Sequence, residues 1–309
     1  MLAHPDVPVL VIGFNRPDLM RRQIERLRSW APSSLYLACD GPRIGAADDG
    51  PATEAVRRCA ELVDWDCSLH TLFAPTNLGC GAAVTAALTW FFESEPAGII
   101  LEDDVVASPD FLRFAAQMLE RYADDERVST IAGLSLDSPT QRARQSNSYR
   151  FTAMPLIWGW ATWRRAWNPD ITSVAGWHEW CDLDGIARQR QWPRLLTEVL
   201  RRRFNDAESG RVDTWDAGFT ARSLASGSVH IMPARTLTAN VGVSDSASHA
   251  GYQPKWAREP EPMPWPLTHP EVVAVDRAVD RTMLVDTFEA TPSGYCAKAL
   301  RKARGALRR

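Results

Sequence analysis

Short apolar runs alternate with helix-length segments through the first 135 residues, and this alternation limits the choice of fold more than any other feature. Residues 7–14 form a continuous apolar run, as expected of a strand buried on both faces. Further predicted strands lie at residues 35–39, 69–74, 98–101 and 128–134, with helical patterns between the strands at 17–30, 53–63, 81–92 and 109–122. Strands separated by such helices need crossover connections, which predicts an α/β fold with a mostly parallel central sheet flanked by helices.

Residues that directly follow the strands of such a sheet are candidates for a binding site. Ligands of open α/β sheets lie at the carboxyl ends of the strands, so topology alone selects these positions. The selected residues are Asn15 and Arg16 after the first predicted strand, Asp40 after the second, and Glu102, Asp103 and Asp104 after the fourth.

The sharpest of these signals is the run of three consecutive acids, Glu102, Asp103 and Asp104, behind a buried apolar strand. Mutual repulsion raises the free energy of three neighbouring carboxylates, and a divalent cation offsets that repulsion. Carboxylate oxygens are the ligands that Mg²⁺ and Mn²⁺ prefer. The pattern therefore predicts a Mn²⁺ or Mg²⁺ site, and the competing interpretation is a solvated loop or a helix N-terminus.

The other loop residues leave two interpretations open. Asp40 either caps a turn or accepts hydrogen bonds from a nucleobase or ribose. Arg16 either binds a phosphate group beside a helix N-terminus or is an exposed loop arginine. The segment from Asn77 to Gly81 precedes a predicted helix, but its GxG is too weak to define a phosphate loop alone. No GxGxxG pattern follows the first strand, which disfavours a nicotinamide-dependent dehydrogenase.

Two further candidates lie later in the chain. Asp216 follows Trp215 directly, and a carboxylate beside an indole ring that excludes water suits a general base. Asp213 is the alternative base, and a structural turn residue is the competing interpretation. His249 either approaches a metal or phosphate group from a loop or is a surface histidine.

Tryptophan is unusually frequent, with 13 residues in the chain. The spacing of Trp160, Trp163 and Trp167 predicts one face of a helix packed in the core. A large flat ring can instead support a sugar ring. The residues considered for such a platform are Trp158, Trp160 and Trp215.

At this point the sequence resembles the GT-A fold glycosyltransferases, which are Rossmann-like. Within them it is most similar to small bacterial transferases and to the N-acetylglucosaminyltransferase that begins complex N-glycan branches. The resemblance extends in order from residue 7 to residue 249. Its marks are Gly13-Phe-Asn-Arg-Pro17, Cys39-Asp-Gly41, Ile99-Ile-Leu-Glu-Asp-Asp-Val105 with Ser108-Pro-Asp-Phe111, Trp158-Gly-Trp160 and Trp215-Asp216.

The resemblance implies a metal-dependent, inverting transfer of a sugar from a UDP-sugar, or another nucleotide-diphosphate sugar, to a hydroxyl of a glycan or lipid-linked acceptor. It implies that Asp104 contacts the metal, with Glu102 and His249 as further candidate ligands. It also implies that Asp216 is the catalytic base. The nucleotide-sugar would be bound by Phe14, Asn15, Arg16, Asp40, Asn77, Gly81, Glu102 and Asp103.

The expected organisation is a transferase domain followed by an extension. Residues 1–250 form the domain, with a nucleotide-sugar-binding half at 1–135 and an acceptor-binding half at 136–250. Six prolines between Pro254 and Pro270 predict an extended arm. A basic helix would end the chain, because residues 298–309 contain six Lys and Arg and no acid. It is either solvated or weakly attracted to an anionic membrane.

Net charge, apolar run lengths and cysteine spacing disfavour several classes of function. The net charge of −3 gives no general attraction to nucleic acid. No secretory signal or membrane-spanning run is visible, and six cysteines without a CxxC pair indicate reduced thiols, so we expect a cytoplasmic protein. The alternatives to a transferase are a non-catalytic nucleotide- or glycan-binding module and a nucleotidyltransferase. The latter should carry a glycine- and lysine-rich loop where this chain has Phe14-Asn-Arg-Pro17.

Overall fold

The computed structural model describes residues 6–242, 258–294 and 296. The strands in these ranges are β1 (Val9–Gly13), β2 (Ser34–Cys39), β3 (Ser68–Phe73), β4 (Ala97–Glu102), β5 (Val105–Ala107), β6 (Val128–Ala132), β7 (Tyr149–Thr152), β8 (Trp160–Trp163), β9 (Val229–Pro233) and β10 (Thr238–Asn240). The helices are α1 (Pro17–Leu27), α2 (Asp49–Arg58), α3 (Cys80–Ser94), α4 (Pro109–Arg121), α5 (Pro139–Arg144), α6 (Trp177–Trp180), α7 (Leu183–Arg190), α8 (Arg194–Glu208), α9 (Asp216–Ser226) and α10 (Arg277–Thr287).

Eight strands form one sheet in the order β3-β2-β1-β4-β8-β6-β9-β7. The pairs β3–β2, β2–β1, β1–β4 and β6–β9 are parallel, whereas β8 and β7 run against their neighbours. Strands β10 and β5 form a separate antiparallel pair. The predicted α/β class, with a mostly parallel central sheet flanked by helices, is confirmed.

The first strand shows why its apolar run is continuous. Val9 and Val11 pack on one face of the sheet, in the cluster that also contains apolar residues of α1, α2 and α4. Leu10 and Ile12 pack on the other face with residues of α3. Because successive side chains of a strand point to opposite faces, a sheet covered on both sides needs apolar residues at every position.

The predicted helical face at Trp160, Trp163 and Trp167 is wrong. Trp160 and Trp163 belong to strand β8, which is inserted between β4 and β6. Trp160 packs on the α3 side of the sheet, whereas Trp163 packs on the opposite side. Both faces of β8 are buried, so apolar and polar residues need not alternate along it. The helix-like spacing of its tryptophans is a coincidence.

The segment after residue 258 belongs to the same packed body as the rest of the described chain. Residues 258–270 contain no helix or strand, and Met263 and Leu267 enter the main core. Asp110 on α4 accepts hydrogen bonds from the Met263 amide (2.8 Å) and the Trp265 indole (2.9 Å). The boundary expected at residue 250 therefore does not separate two packing units. No helix in the described part of the chain is long and apolar enough to cross a membrane, and the basic tail at 298–309 lies outside the described residues.

A buried histidine on β9 predicts a pH dependence of stability. His230 is fully buried, and its Nδ1 lies 2.8 Å from the Thr130 hydroxyl. Burial lowers the pKa of His230 to about 3. Below the unfolded-state value of about 6.5, the unfolded chain binds a proton that the folded chain does not. The stabilising contribution is therefore complete above that value and is lost as the pH falls.

We expect His230→Asn, which keeps a partner for Thr130, to be less sensitive to acid than the parent protein. Between pH 6.5 and 5 the parent should lose about 2 kcal/mol more of its unfolding free energy, at roughly 1.4 kcal/mol per pH unit. Urea unfolding at both pH values measures the difference. Equal pH slopes for the two proteins would contradict this account.

Candidate active site

The carboxyl ends of β1 and β4 meet through an ion-pair cluster. Arg16, which follows β1, donates from Nη1 to Asp104 Oδ2 at 2.9 Å and from Nε to Asp103 Oδ2 at 3.3 Å. A second guanidinium nitrogen of Arg16 also donates to Asp103. The carboxylate of Asp103 is buried, and Arg16 is about half-exposed. Arg16 is therefore not a free loop arginine, because its positive charge pairs with the carboxylates of Asp103 and Asp104 at the end of β4.

The acidic run divides its side chains between the two faces of the sheet. Strand β4 ends at Glu102, one residue beyond the predicted end at Leu101. Glu102 is two residues after Ile100, so it lies on the same face of the strand, and Ile100 packs toward α3. Asp103 lies on the opposite side, where its Oδ2 is 3.4 Å from the position that a Cβ on Gly13 would take. The strand geometry therefore separates neighbouring carboxylates before any cation is involved.

Electrostatic repulsion is nevertheless strong at this edge. Desolvation, followed by the charges of Asp104 and Asp103, raises the pKa of Glu102 to about 8. Desolvation also raises the pKa of Asp103 to about 6, although the Arg16 charge acts in the opposite direction. Ionising all three acids together therefore requires more positive charge than Arg16 supplies.

The residues present fit a divalent cation that has few protein ligands. Asp104 Oδ1 is buried and has no hydrogen-bond partner among the described residues, so a cation could use it as a ligand. Within residues 6–242 and 258–294, no three His, Cys, Asp or Glu side chains come together as a metal cage. Mg²⁺ commonly uses one or two carboxylates together with substrate phosphates, and this arrangement needs no cage. The Mn²⁺ or Mg²⁺ site stays a prediction, and its candidate ligand His249 lies outside the described residues.

Asp40, at the end of β2, organises its own loop. It accepts hydrogen bonds from the amides of Gly41 (2.7 Å) and Leu78 (2.9 Å) and from the side-chain amide of Asn77 (2.7 Å). A carboxylate has about four lone-pair positions, so about one remains for a ligand. The structure thus joins Asp40 and Asn77, two predicted binding residues, and shows that turn stabilisation takes most of their hydrogen-bonding capacity.

Phe14 and Asn15 belong to a neighbouring cluster that includes two residues not predicted from the sequence. Asn15 donates to Asp49 Oδ1 at 2.8 Å, and Arg43 donates from Nε to Asp49 Oδ2 at 2.6 Å. The Arg43 guanidinium also lies 5.4 Å from the centre of the Phe14 ring. No spacing connects the three segments in sequence, so no sequence signal identifies Arg43 or Asp49.

Asp213 occupies the N-terminus of α3. Its two carboxylate oxygens accept hydrogen bonds from the amides of Cys80 (2.7 Å) and Gly81 (3.0 Å). Gly81 is among the residues predicted to bind the nucleotide-sugar, and its amide donates to this chain's own Asp213 carboxylate. A helix N-terminus favours any anion, and the fold brings one there.

Asp216 is the first residue of α9 and has two side-chain partners. The Thr214 hydroxyl donates to its Oδ1 at 2.6 Å, and Arg203 on α8 forms an ion pair with Oδ2. Arg203 belongs to a run of three arginines, 201–203, on α8, and the packing of α8 against α9 brings its guanidinium group to Asp216.

The acids from the two halves of the chain lie near one another. Desolvation, followed by the charges of Glu102, Asp213, Asp216 and Asp40, raises the pKa of the Cys80 thiol to about 11. The charge of Asp216 also contributes to the raised pKa of Glu102. The start of α3, the end of β4 and the start of α9 therefore form one acidic site at the carboxyl edge of the sheet.

Two of the three tryptophans proposed as a sugar platform are buried. Trp160 and Trp215 are 1% and 5% exposed, and their rings stack on each other with centroids 5.8 Å apart. Neither presents a face to a ligand, because α9 closes over β8 at this point. Trp158 lies two residues before β8 and is half-buried, so it is the remaining platform candidate.

Comparison with known proteins adds little to this geometry. No protein-family model and no curated protein sequence matches the chain. Among solved structures, the crystal structure of HddC from Yersinia pseudotuberculosis aligns at 9% identity and a TM-score of 0.31, covering 52% of this chain and 77% of that one. A likeness at this level carries no argument about fold or function.

The ion-pair cluster of Arg16, Asp103 and Asp104 leads to a prediction about the stability of the protein. Arg16→Met leaves the buried Asp103 without its cation and should destabilise the protein by roughly 2 kcal/mol, at the low end for a broken buried pair because Arg16 is half-exposed. Adding Mn²⁺ should restore more thermal stability to the variant than to the parent, since the ion replaces the lost positive charge. Thermal unfolding with and without Mn²⁺ measures both effects. Arg28→Met, which breaks a surface pair with Asp64, is the matched control, and equal responses of the two variants would contradict this explanation.

Proposed function

We propose that the protein is a metal-dependent glycosyltransferase that moves a sugar from a UDP-sugar, or another nucleotide-diphosphate sugar, to a hydroxyl group of a glycan or lipid-linked acceptor. One observation carries the proposal. The Arg16–Asp103–Asp104 cluster and the Asp213–Asp216 turn come from opposite halves of the chain and lie at the same edge of the sheet. The sequence resemblance to GT-A enzymes supports the same assignment.

In this proposal, the loops after β1, β2 and β4 form the binding site for the nucleotide-sugar donor. Phe14 and Asn15 lie beside the Arg43–Asp49 pair. The Phe14 ring would provide an aromatic face for a nucleoside, and the other three side chains would provide polar groups. Asp40 retains some capacity to accept a hydrogen bond from a base or ribose. Arg16 pairs with two acids of the run and could turn part of its guanidinium group toward a phosphate.

The proposed metal dependence follows from charge. A diphosphate brings negative charge to an edge that already holds Glu102, Asp103 and Asp104, and Arg16 is engaged by two of these acids. Asp104, with Glu102 as a second candidate, would hold Mn²⁺ or Mg²⁺. The bound cation would stabilise the negative charge of the leaving diphosphate.

Asp216 is the proposed base. Its Oδ2 is paired with Arg203, and its Oδ1 accepts from Thr214, so the carboxylate is held in a defined orientation. In the proposed step it takes the proton of the acceptor hydroxyl as that oxygen bonds to the anomeric carbon. The bond from this carbon to the diphosphate oxygen breaks at the same time, which inverts the anomeric centre. Half-buried Trp158 is the proposed apolar surface for a sugar ring.

Calorimetric titration with UDP tests the metal dependence. Affinity should fall strongly when EDTA removes divalent cations, because the diphosphate then meets uncompensated acids. Asp104→Asn should abolish the difference between Mn²⁺ and EDTA, whereas Asp64→Asn, in an exposed ion pair, should preserve it. Equal UDP affinity with and without EDTA in the parent protein would argue against a metal-dependent donor site.

A second prediction concerns the base. Asp216→Asn should retain the fold and nearly the same donor affinity, while turnover falls by roughly 10²–10⁴, the usual contribution of general acid–base catalysis. Release of UDP from UDP-glucose and UDP-N-acetylglucosamine, with water or added glycans as acceptor, measures turnover. Asp184→Asn removes a surface pair with Arg201 and should leave turnover unchanged. Full turnover in the Asp216 variant would remove it from the mechanism.

A further inference from the structure

Asp213 connects two parts of the chain that are more than 130 residues apart. Its carboxylate oxygens accept hydrogen bonds from the amides of Cys80 and Gly81, the first two residues of the 15-residue helix α3. These amides would otherwise have no partner within the helix. A carboxylate at this end of a helix also interacts favourably with the helix dipole.

Close packing around this contact requires glycine at two positions. A Cβ on Gly79 would lie 2.6 Å from Asp213 Oδ2, and a Cβ on Gly81 would lie 2.8 Å from Oδ1. Gly79 also has a positive φ of 84°, a conformation that favours glycine. The Gly79-Cys-Gly81 pattern therefore admits the Asp213 carboxylate, which gives these glycines a role other than binding a phosphate.

The other residues of the turn 213–216 are also fixed. Trp215 stacks on the buried Trp160 of β8, and the Thr214 hydroxyl donates to Asp216. Arg203 holds the second oxygen of Asp216. Without Asp213, the segment would keep its packing contacts to β8, α8 and α3 but would lose its hydrogen bonds to the first residues of α3.

We propose that Asp213 is a positioning residue that fixes Asp216 relative to the donor-binding edge. This inference rests on the proposed function. Both oxygens of Asp213 accept from backbone amides that the helix α3 holds in place, whereas the partners of Asp216 are the side chains of Thr214 and Arg203, which can turn away from a carboxylate that takes up a proton. Asp213 acts on the reaction through Asp216, so its effect should disappear when Asp216 cannot accept a proton.

A double-mutant cycle tests this dependence, with UDP release from UDP-glucose and UDP-N-acetylglucosamine as the measured rate. Asp213→Asn should lower kcat roughly 10-fold to 100-fold, in the range for a misplaced catalytic group, with unchanged UDP affinity. Asp213→Asn combined with Asp216→Asn should be no slower than Asp216→Asn alone. Additive losses would overturn the inference, because the two residues would then act independently. A greater loss in the Asp213 variant than in the Asp216 variant would also overturn it and would indicate Asp213 as the base.

Hydrogen exchange of the full-length protein provides a readout that does not depend on catalysis. Asp213→Asn should accelerate exchange both at the start of α3 and in the segment 213–219. Asp182→Asn is the matched control, since Asp182 caps α7 by accepting from the Gly185 amide at 2.8 Å, and it should affect only α7 and leave turnover unchanged. Unchanged exchange at the start of α3 in the Asp213 variant would overturn the positioning role. If the parent protein releases no UDP from either sugar nucleotide but the exchange result holds, the proposed function fails while the contact between Asp213 and α3 stands.

Discussion

Repulsion among the acids at the end of β4 is the constraint around which the candidate site is arranged. A central strand buried on both faces delivers Glu102, Asp103 and Asp104 to the edge of the sheet, where desolvation increases the cost of their charges. The fold reduces this cost in two ways. Strand alternation places Glu102 and Asp103 on opposite sides, and Arg16 from the adjacent strand pairs with Asp103 and Asp104. The remaining excess of negative charge is the physical basis for expecting a divalent cation.

The second half of the chain contributes to this edge through packing rather than through sequence proximity. Strand β8 inserts beside β4, and the stacking of Trp160 on Trp215 brings the start of α9 over it. Asp213 then connects that turn to α3, and Arg203 connects Asp216 to α8. The aromatic residues concentrated in this half thus serve mainly as core that holds polar residues in place. Hydrophobic burial therefore supplies the energy for the arrangement, and a few charged contacts determine its orientation.

Two local sequence patterns, the GxG at residues 79–81 and Asp40 after β2, identify a position for polar contacts but not the group that binds there. The GxG at residues 79–81 suggests a phosphate loop, yet the structure fills the space above it with the Asp213 carboxylate. Asp40 suggests a nucleobase contact, yet most of its hydrogen-bonding capacity stabilises the loop that contains Asn77. In both cases the residue type indicates an anion or acceptor position. The chain's own Asp213 carboxylate occupies that position at the glycines, and the chain's own amides take most of the hydrogen bonds at Asp40.

The sequence by itself determined the α/β class, the bounds of the early strands and helices to within a few residues, and the edge of the sheet at which the acids lie. These follow from local periodicity and from the rule that parallel strands end at a common edge. The tertiary structure alone decided that the Trp160 segment is a strand, that Trp160 and Trp215 are buried, and that Arg43, Asp49 and Arg203 join the site. Those features depend on which distant segments come into contact, and a residue's spacing along the chain carries no information about a partner that only packing brings near.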